Sequence, residues 1–180
     1  ADELAVAVVD DIHGHNSRER AAELAAELSR QNPAVNMVLF LASGIDIADD
    51  LCIEGLQSGL AAGVTIFGAT SADNMKGVAS YQFADNRVLD HGAWAVGFAD
   101  PTLEVVTQAT HGFIAVGDPM VVTKSDGNRI IELNDRPAWS EYTRRLALPD
   151  TATCADTIPI GALAEALPAS LAAEYGNDHI

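Results

Sequence analysis

The sequence predicts an α+β fold, a short β-α-β-α-β region followed by an antiparallel, hairpin-rich sheet with helices packed on it. Three observations carry this expectation. Apolar runs of strand length alternate with stretches of helical periodicity over residues 1–71. Turn-forming dipeptides then separate β-branched and aromatic runs over residues 79–133. Beyond Pro149 the composition changes to a polar stretch and then to an alanine-rich one.

The elements follow in order. LAVAVVD (4–10) is an unbroken apolar run ending in Asp, as a buried strand would be. Residues 17–30 place Leu24 and Leu28 on one helical face with Ala21 and Ala25 beside them, and Asn16 with Glu19 suggests a capping box at the start. NMVLFLAS (36–43) reads as a second buried strand. ADDLCIEGLQSGLAAG (48–63) reads as a helix closed by Gly63, and VTIFGATS (64–71) as a third strand. This alternation predicts neighbouring, parallel strands.

In the second regime, ASYQFADN runs into RVLDHGAWAVGFAD through a tight turn at Asp85-Asn86, and TLEVVTQATHG (102–112) follows. Val121, Val122 and Thr123 suit a pleated strand. Ser125, Asp126, Gly127 and Asn128 form a turn, and Arg129 to Leu133 return as the second strand. Asn134 or Asp135 is expected to cap the next helix, with Pro137 in its first turn. The alanine-rich segment IGALAEALPASLAAEYG reads as helix except at Pro168.

Composition narrows the function classes. At 180 residues the chain can bury a real core. No apolar run reaches the roughly 18 residues of a membrane span, and Asp2 and Glu3 stand where a signal peptide has its basic start. Ten basic residues against 26 acidic ones give a net charge of −16, which repels phosphate backbones and argues against nucleic-acid binding. A solubilising surface is the plainer meaning of that charge. Cys52 and Cys154 form no CxxC pair and are too few for a disulfide scaffold, and Cys52 is expected inside a helix, facing the core. A cytoplasmic location is expected.

Three segments, in order, resemble the FIST domain. GLQSGLAAGVTIFGATSADNM matches the family's helix, strand and glycine-containing turn at Gly68, Ala69, Asp73 and Asn74. SYQFADNRVLDHGAWAVGF is similar to its hairpin followed by a long apolar strand. THGFIAVGDPMVVTKSDGNRIIELNDRPAWSEYTRRL is the nearest stretch, with HG, VGDP, VT, GN, EL and RPA in family order. Together they cover residues 36–146. The family's turn often carries paired glycines, whereas Ala69 and Thr70 follow Gly68 here.

The resemblance implies a ligand-sensing module of signal-transduction proteins, found in bacterial and archaeal signalling proteins and in some F-box proteins. It implies a small-molecule ligand, a signalling output domain or protein as partner, and no catalysis. FIST modules are usually longer, so residues 1–148 read as the carboxy-terminal portion of a FIST N-like sensory domain. Residues 149–180 read as a linker and the start of a second subdomain.

The candidate ligand site is the GATSADN loop (68–74), which follows a buried strand where open sheets commonly place ligands. Gly68 allows close approach, and Thr70, Ser71, Asp73 and Asn74 supply donors and acceptors. His111 and Gly112, at a strand end, are expected to meet the ligand. Arg136, at a helix start, would clamp a carboxylate, which suits an amino-acid-like ligand. Each has a plainer alternative, namely a polar loop, a partly buried histidine and a surface ion pair. Trp94, Phe98, Trp139 and Tyr142 read as core packing rather than a stacking platform.

Three other chemistries have residue types to match in this sequence. DDIHGHN gathers Asp10, Asp11, His13 and His15, and an alternating His-Gly-His on a strand would put both rings on one face. A solvated loop before the helix is preferred there, so no metal is expected. Some FIST-containing proteins resemble haem-binding nitric-oxide sensors, and His91 or His111 would serve as an axial ligand, though neither carries an attachment motif. A small hydrolase or transferase using Thr70, Ser71, Asp73 and His111 is the enzymatic alternative. GxSxG and GxxxxGK[ST] are both absent.

Overall fold

A computed structural model describes residues 3–74, 76–107, 114, 117–126, 129–153, 156, 166 and 168–175. These residues group into two compact units, 1–107 and 108–180. The α+β class is as expected, and among the described residues no helix is long and apolar enough to cross a membrane.

The first unit is built on β1 (Leu4–Val9), α1 (Ser17–Gln31), β2 (Met37–Ser43), α2 (Asp49–Gly59) and β3 (Thr65–Ser71). A hairpin of β4 (Gln82–Ala84) and β5 (Arg87–Leu89) follows, then β6 (Ala93–Phe98). The β-α-β-α-β order is therefore present, but its strands are not all neighbours. The sheet order is β1-β6-β2-β3, with β6 antiparallel to both β1 and β2 while β2 and β3 run parallel. A long-range pairing, invisible to local periodicity, thus separates the first two strands.

The faces of this sheet differ. Ala5, Ala7, Ala93 and Ala95 point into the core with Leu24, Leu28, Val38, Cys52 and Leu56 from both helices and β2. Small residues on β1 and β6 let α1 lie close to the sheet. A Cβ on Gly97 would come within 2.8 Å of Val35 Cγ2. On the other face Trp94 is only half-buried, and its Nε1 donates to Gln82 Oε1 (3.1 Å) while Gln82 Nε2 donates to the Ala42 carbonyl (2.8 Å). At the outer edge, Gln31 donates from Nε2 to the Val6 carbonyl (2.7 Å) and accepts from the Val6 amide (2.9 Å) through Oε1.

The helix α1 buries the residues expected, but its capping box does not form. Asn16 is the N-cap without a side-chain cap bond. Its Oδ1 accepts from the His13 amide (2.7 Å) and its Nδ2 donates to the Asp11 carbonyl (2.9 Å), so the side chain braces the preceding loop. The helix α2 ends at Gly59 rather than at Gly63, which adopts positive φ (85°) in the turn before β3. The run RVLDHGAWAVGF is broken at 90–92 into two strands of different sheets. Asp85 and Asn86 take φ of 51° and 60°, which fits the expected two-residue turn. No strand forms over residues 102–107, and residues 108–113 lie outside the described residues.

In the second unit β7 (Val122–Asp126) pairs antiparallel with β8 (Arg129–Leu133), and β8 with the two-residue β9 (Arg136–Pro137). The turn residues Gly127 and Asn128 lie outside the described residues. Asn134 and Asp135 are not helix caps. Both have positive φ (51° and 61°) and turn the chain from β8 into β9, after which Pro137 is the N-cap of α3 (Ala138–Arg145). Asn134 Oδ1 accepts from the Val121 amide (2.9 Å), fastening this turn to β7. After Pro168 comes α4 (Ala169–Tyr175). Trp139 and Tyr142 stack loosely along α3, with ring centroids 6.0 Å apart, and Trp139 stays exposed rather than in a core.

The contact between α1 and α2 is the tightest helix packing of the first unit. A Cβ on Gly55 would collide with the Arg18 carbonyl oxygen and lie 2.9 Å from Ala21 Cβ. Alanine gains at most about 1 kcal/mol of helix propensity over glycine, whereas overpacking against backbone costs about 1–3 kcal/mol. The collision wins, so Gly55→Ala should lower the urea midpoint at unchanged slope. An unchanged or raised midpoint would show that the helices part freely.

Candidate functional site

The strand register brings the polar loops of the first unit to one edge of its sheet. Val9 pairs with Ala93, Ala42 with Ala93, and Ser43 with Ser71. The carboxyl ends of β1, β2 and β3 therefore lie beside the start of β6. The loops 10–16, 44–48, 72–80 and 90–92 all emerge there, where open sheets expose loop backbone and side chains to a ligand.

Buried hydroxyls lock these loops together. Ser17 Oγ donates to the His13 carbonyl (2.7 Å) and accepts from the Ala48 amide (3.0 Å), joining the loop after β1 to the loop after β2. Ser43 Oγ donates to the Asp90 carbonyl (3.0 Å) and accepts from the Gly92 amide (3.3 Å). Ser80 Oγ accepts from the Gly44 amide (2.8 Å). The Ile12 amide donates to the His91 carbonyl (2.9 Å), which ties the first loop to the last. Asp11 and Asp46 hold left-handed backbone (φ 58° and 56°), which aspartate tolerates better than most residues.

The result is a histidine–carboxylate cluster. His13 Nδ1 lies 2.8 Å from Asp46 Oδ2, and His13 Nε2 lies 3.1 Å from Asp11 Oδ1. The Asp46 hydrogen bond, opposed by partial burial and aided by Asp11, holds the His13 pKa above its ordinary value. The same bond holds Asp46 below the usual carboxylate range. The His91 ring packs on His13 at 4.4 Å between centroids, tilted by 36°, and the His15 ring stacks on His13 at 5.6 Å. His91 Nδ1 is buried with no hydrogen-bond partner among the described residues. Beside the cluster is an open depression of about 230 Å³ bordered by Asp10, Asp11, Arg87, Asp90 and His91. Arg87 and Asp10 form an ion pair across it (2.9 Å).

Of the metal-type residues singled out in the sequence, only His13 and Asp11 join this cluster as polar contacts. His13-Gly14-His15 is a turn rather than a strand. Asp10 faces Arg87, and its carbonyl accepts from Arg20 (2.6 Å). Asp46 and His91 come from 33 and 78 residues further on, a distance that sequence pattern cannot bridge. The signal that was readable for both is a polar residue within three positions of an apolar strand.

The expected ligand loop is placed differently from its reading. Gly68, Thr70 and Ser71 belong to β3, and only Asp73 and Asn74 lie in the loop. Gly68 is required by β2, because a Cβ there would collide with the Phe40 carbonyl oxygen. Ser71 Oγ donates weakly to the Ala42 carbonyl (3.5 Å). The Asp73 carboxylate accepts the amides of Lys76 (2.9 Å), Gly77 (3.0 Å), Val78 (2.6 Å) and Ala79 (3.2 Å). Those amides, Val78 foremost, hold its pKa down to about 2. Thr70 and Asn74 are exposed. Ser71 and Asp73 are thus engaged by backbone, and among the described residues they form no nucleophile–base pair.

His111 and Gly112 lie outside the described residues, as does Cys154. Arg136, in the second unit, is 3.8 Å from Glu141, a 3% exposed carboxylate that also binds Arg144 (2.6 Å) and Arg145 (3.1 Å). Arg144 and then Arg145 hold Glu141 down to about 2. Cys52 is buried as expected, and burial pushes its thiol up to about 11, which suits a packing role over a reactive one.

Asp73 has a testable signature. Its folded pKa of about 2 lies below the ordinary 3.8. It therefore stabilises the fold fully above pH 3.8, and that contribution fades as pH falls through about 2. Asp73→Asn replaces one acceptor oxygen with a donor facing the Val78 and Ala79 amides. The variant should melt lower at neutral pH and lose less stability than the parent between pH 4 and 2. Parallel acid limbs in the two melting profiles would refute the assignment.

Comparison with known families gives a match to the FIST N domain over residues 1–136, and comparison with curated proteins gives no match. The match spans all of the first unit and the hairpin of the second. On that coverage, the chain belongs to the FIST N domain family, a non-catalytic sensory domain of signal-transduction proteins.

Proposed function

We propose that this chain senses a small, amino-acid-like molecule at the polar edge of its four-stranded sheet and relays occupancy to a signalling output partner. One observation carries the reading. Asp10 and Arg87 present opposite charges 2.9 Å apart, both about half exposed, at the depression where the loop after β1 meets β5 and the bend before β6. A zwitterion offers an ammonium to Asp10 and a carboxylate to Arg87, exchanging one ion pair for two charge-assisted contacts. A ligand held there bridges elements far apart in sequence, and its binding energy favours the arrangement of loops that fits it.

The exposed donors and acceptors Thr70 and Asn74 extend the same edge on the β3 side, with Gly68, Ser71 and Asp73 shaping the backbone that carries them. The second unit's candidates His111, Gly112 and Arg136 rest on the sequence alone. So does the division into a sensory domain at 1–148 and a linker with the start of a second subdomain at 149–180.

The test is a thermal-shift screen of zwitterionic amino acids and plain carboxylates, run in chelator. A ligand at 100 times its dissociation constant adds about 2.7 kcal/mol of stability. A zwitterion should raise the melting midpoint of the parent and leave Arg87→Ala and Asp10→Asn unmoved. If no compound acts, or if both variants respond like the parent, the site is elsewhere.

A further inference from the structure

We propose that His13, Asp46 and His91 form a binding site for a divalent transition metal of the zinc class. Three separate segments supply the donors, the loops after β1 and β2 and the bend before β6, and one ligand atom from each lies within 4.8 Å of the others. A tetrahedral ion with bonds of about 2.0–2.1 Å needs donor pairs about 3.3 Å apart. His13 Nδ1 and Asp46 Oδ2 are already closer than that, at 2.8 Å. The remaining closure is about 1.5 Å, within reach of side-chain rotation on rings that already pack together.

Two observations distinguish this cluster from a chance meeting of polar groups. Among the described residues His91 Nδ1 is buried without a partner, on a ring that packs against His13. Buried polar atoms of this kind are rare and call for an explanation. The second is the far side of His13. With Nδ1 toward the ion, Nε2 faces Asp11 Oδ1 at 3.1 Å, the carboxylate–histidine–metal arrangement that fixes tautomer and ring direction. Asp11, whose backbone is left-handed, is therefore the positioning residue.

The donor set selects the class of ion. Two imidazoles and one carboxylate suit zinc, cobalt or nickel, whereas magnesium and calcium take oxygen ligands. Three protein donors leave a coordination position open at the edge of the depression bordered by Asp11 and His91. The inference rests on the cluster and not on the metabolite reading, so its test contains no metabolite.

Chelator-stripped protein is titrated with cobalt(II) and followed by visible absorption and calorimetry, with excess magnesium present. The expected result is one cobalt per chain, with intense visible bands of low coordination number that zinc abolishes and magnesium does not. Losing a ligand exceeds the roughly 10–100-fold effect of altering a group that only orients one, so His91→Gln and Asp46→Asn should each weaken binding by about 100-fold. Asparagine accepts left-handed backbone as aspartate does, so D46N keeps the loop even where H91Q unfolds. Weak bands of hydrated cobalt alone, displacement by magnesium, or unchanged affinity in D46N would each overturn the site. None of those results would touch the zwitterion screen, which is run in chelator.

Discussion

The first unit depends on β6 entering between β1 and β2. Without it, the two strands of the opening β-α-β stretch would meet directly, and the bend at 90–92 would have no reason to lie at their carboxyl ends. The insertion is possible because Ala93, Ala95 and Gly97 present almost no side chain to α1, while Ala5 and Ala7 do the same from β1. The hydrophobic cluster is consequently held by residues from α1, α2 and β2 pressing on a shallow floor of alanines. Close approach replaces bulk, and the glycines facing Val35 and Arg18 are two places where it leaves no room for a side chain.

The same insertion organises the polar edge. Ser43 holds the Asp90–Gly92 bend through two bonds, and Ser17 holds the first and second loops through two more. These buried hydroxyls make a rigid frame out of segments that would otherwise be independent loops. On that frame the carboxylates divide their work. Asp73 is consumed by four backbone amides and shapes its own loop. Asp10, Asp11 and Asp46 turn toward cationic or ring partners at the surface. For a sensory domain this is a useful separation, with some acids fixing the scaffold and others left where a ligand can compete for them.

Much of the architecture was legible in the sequence because it is local. The strands at 4–10, 36–43 and 64–71, the buried stripe Ala21, Leu24, Ala25 and Leu28, and the Asp85-Asn86 turn all follow from short-range period or backbone preference. The family itself was legible from three ordered segments, and the matched region bears that out. What was misread concerns competition for the same side chain. Asn16 has the look of a cap, yet His13 and Asp11 offer its amide better partners. Asn134 and Asp135 suit a cap or a left-handed turn equally, and the pairing of β8 with β9 decides between them. The histidine cluster was only half visible, since Asp46 and His91 join His13 solely through the β1-β6-β2 order.

Among the described residues β1 has no strand neighbour on its outer side, and Leu4 and Val6 stand exposed along it. Such an edge is a template for a strand from another molecule. Gln31, reaching down from the last turn of α1, already occupies both the amide and the carbonyl of Val6. It imitates one residue of an incoming strand and interrupts the ladder at its middle. Protection of this one edge is thereby delegated to a glutamine on a helix rather than to a charge or proline within the strand itself.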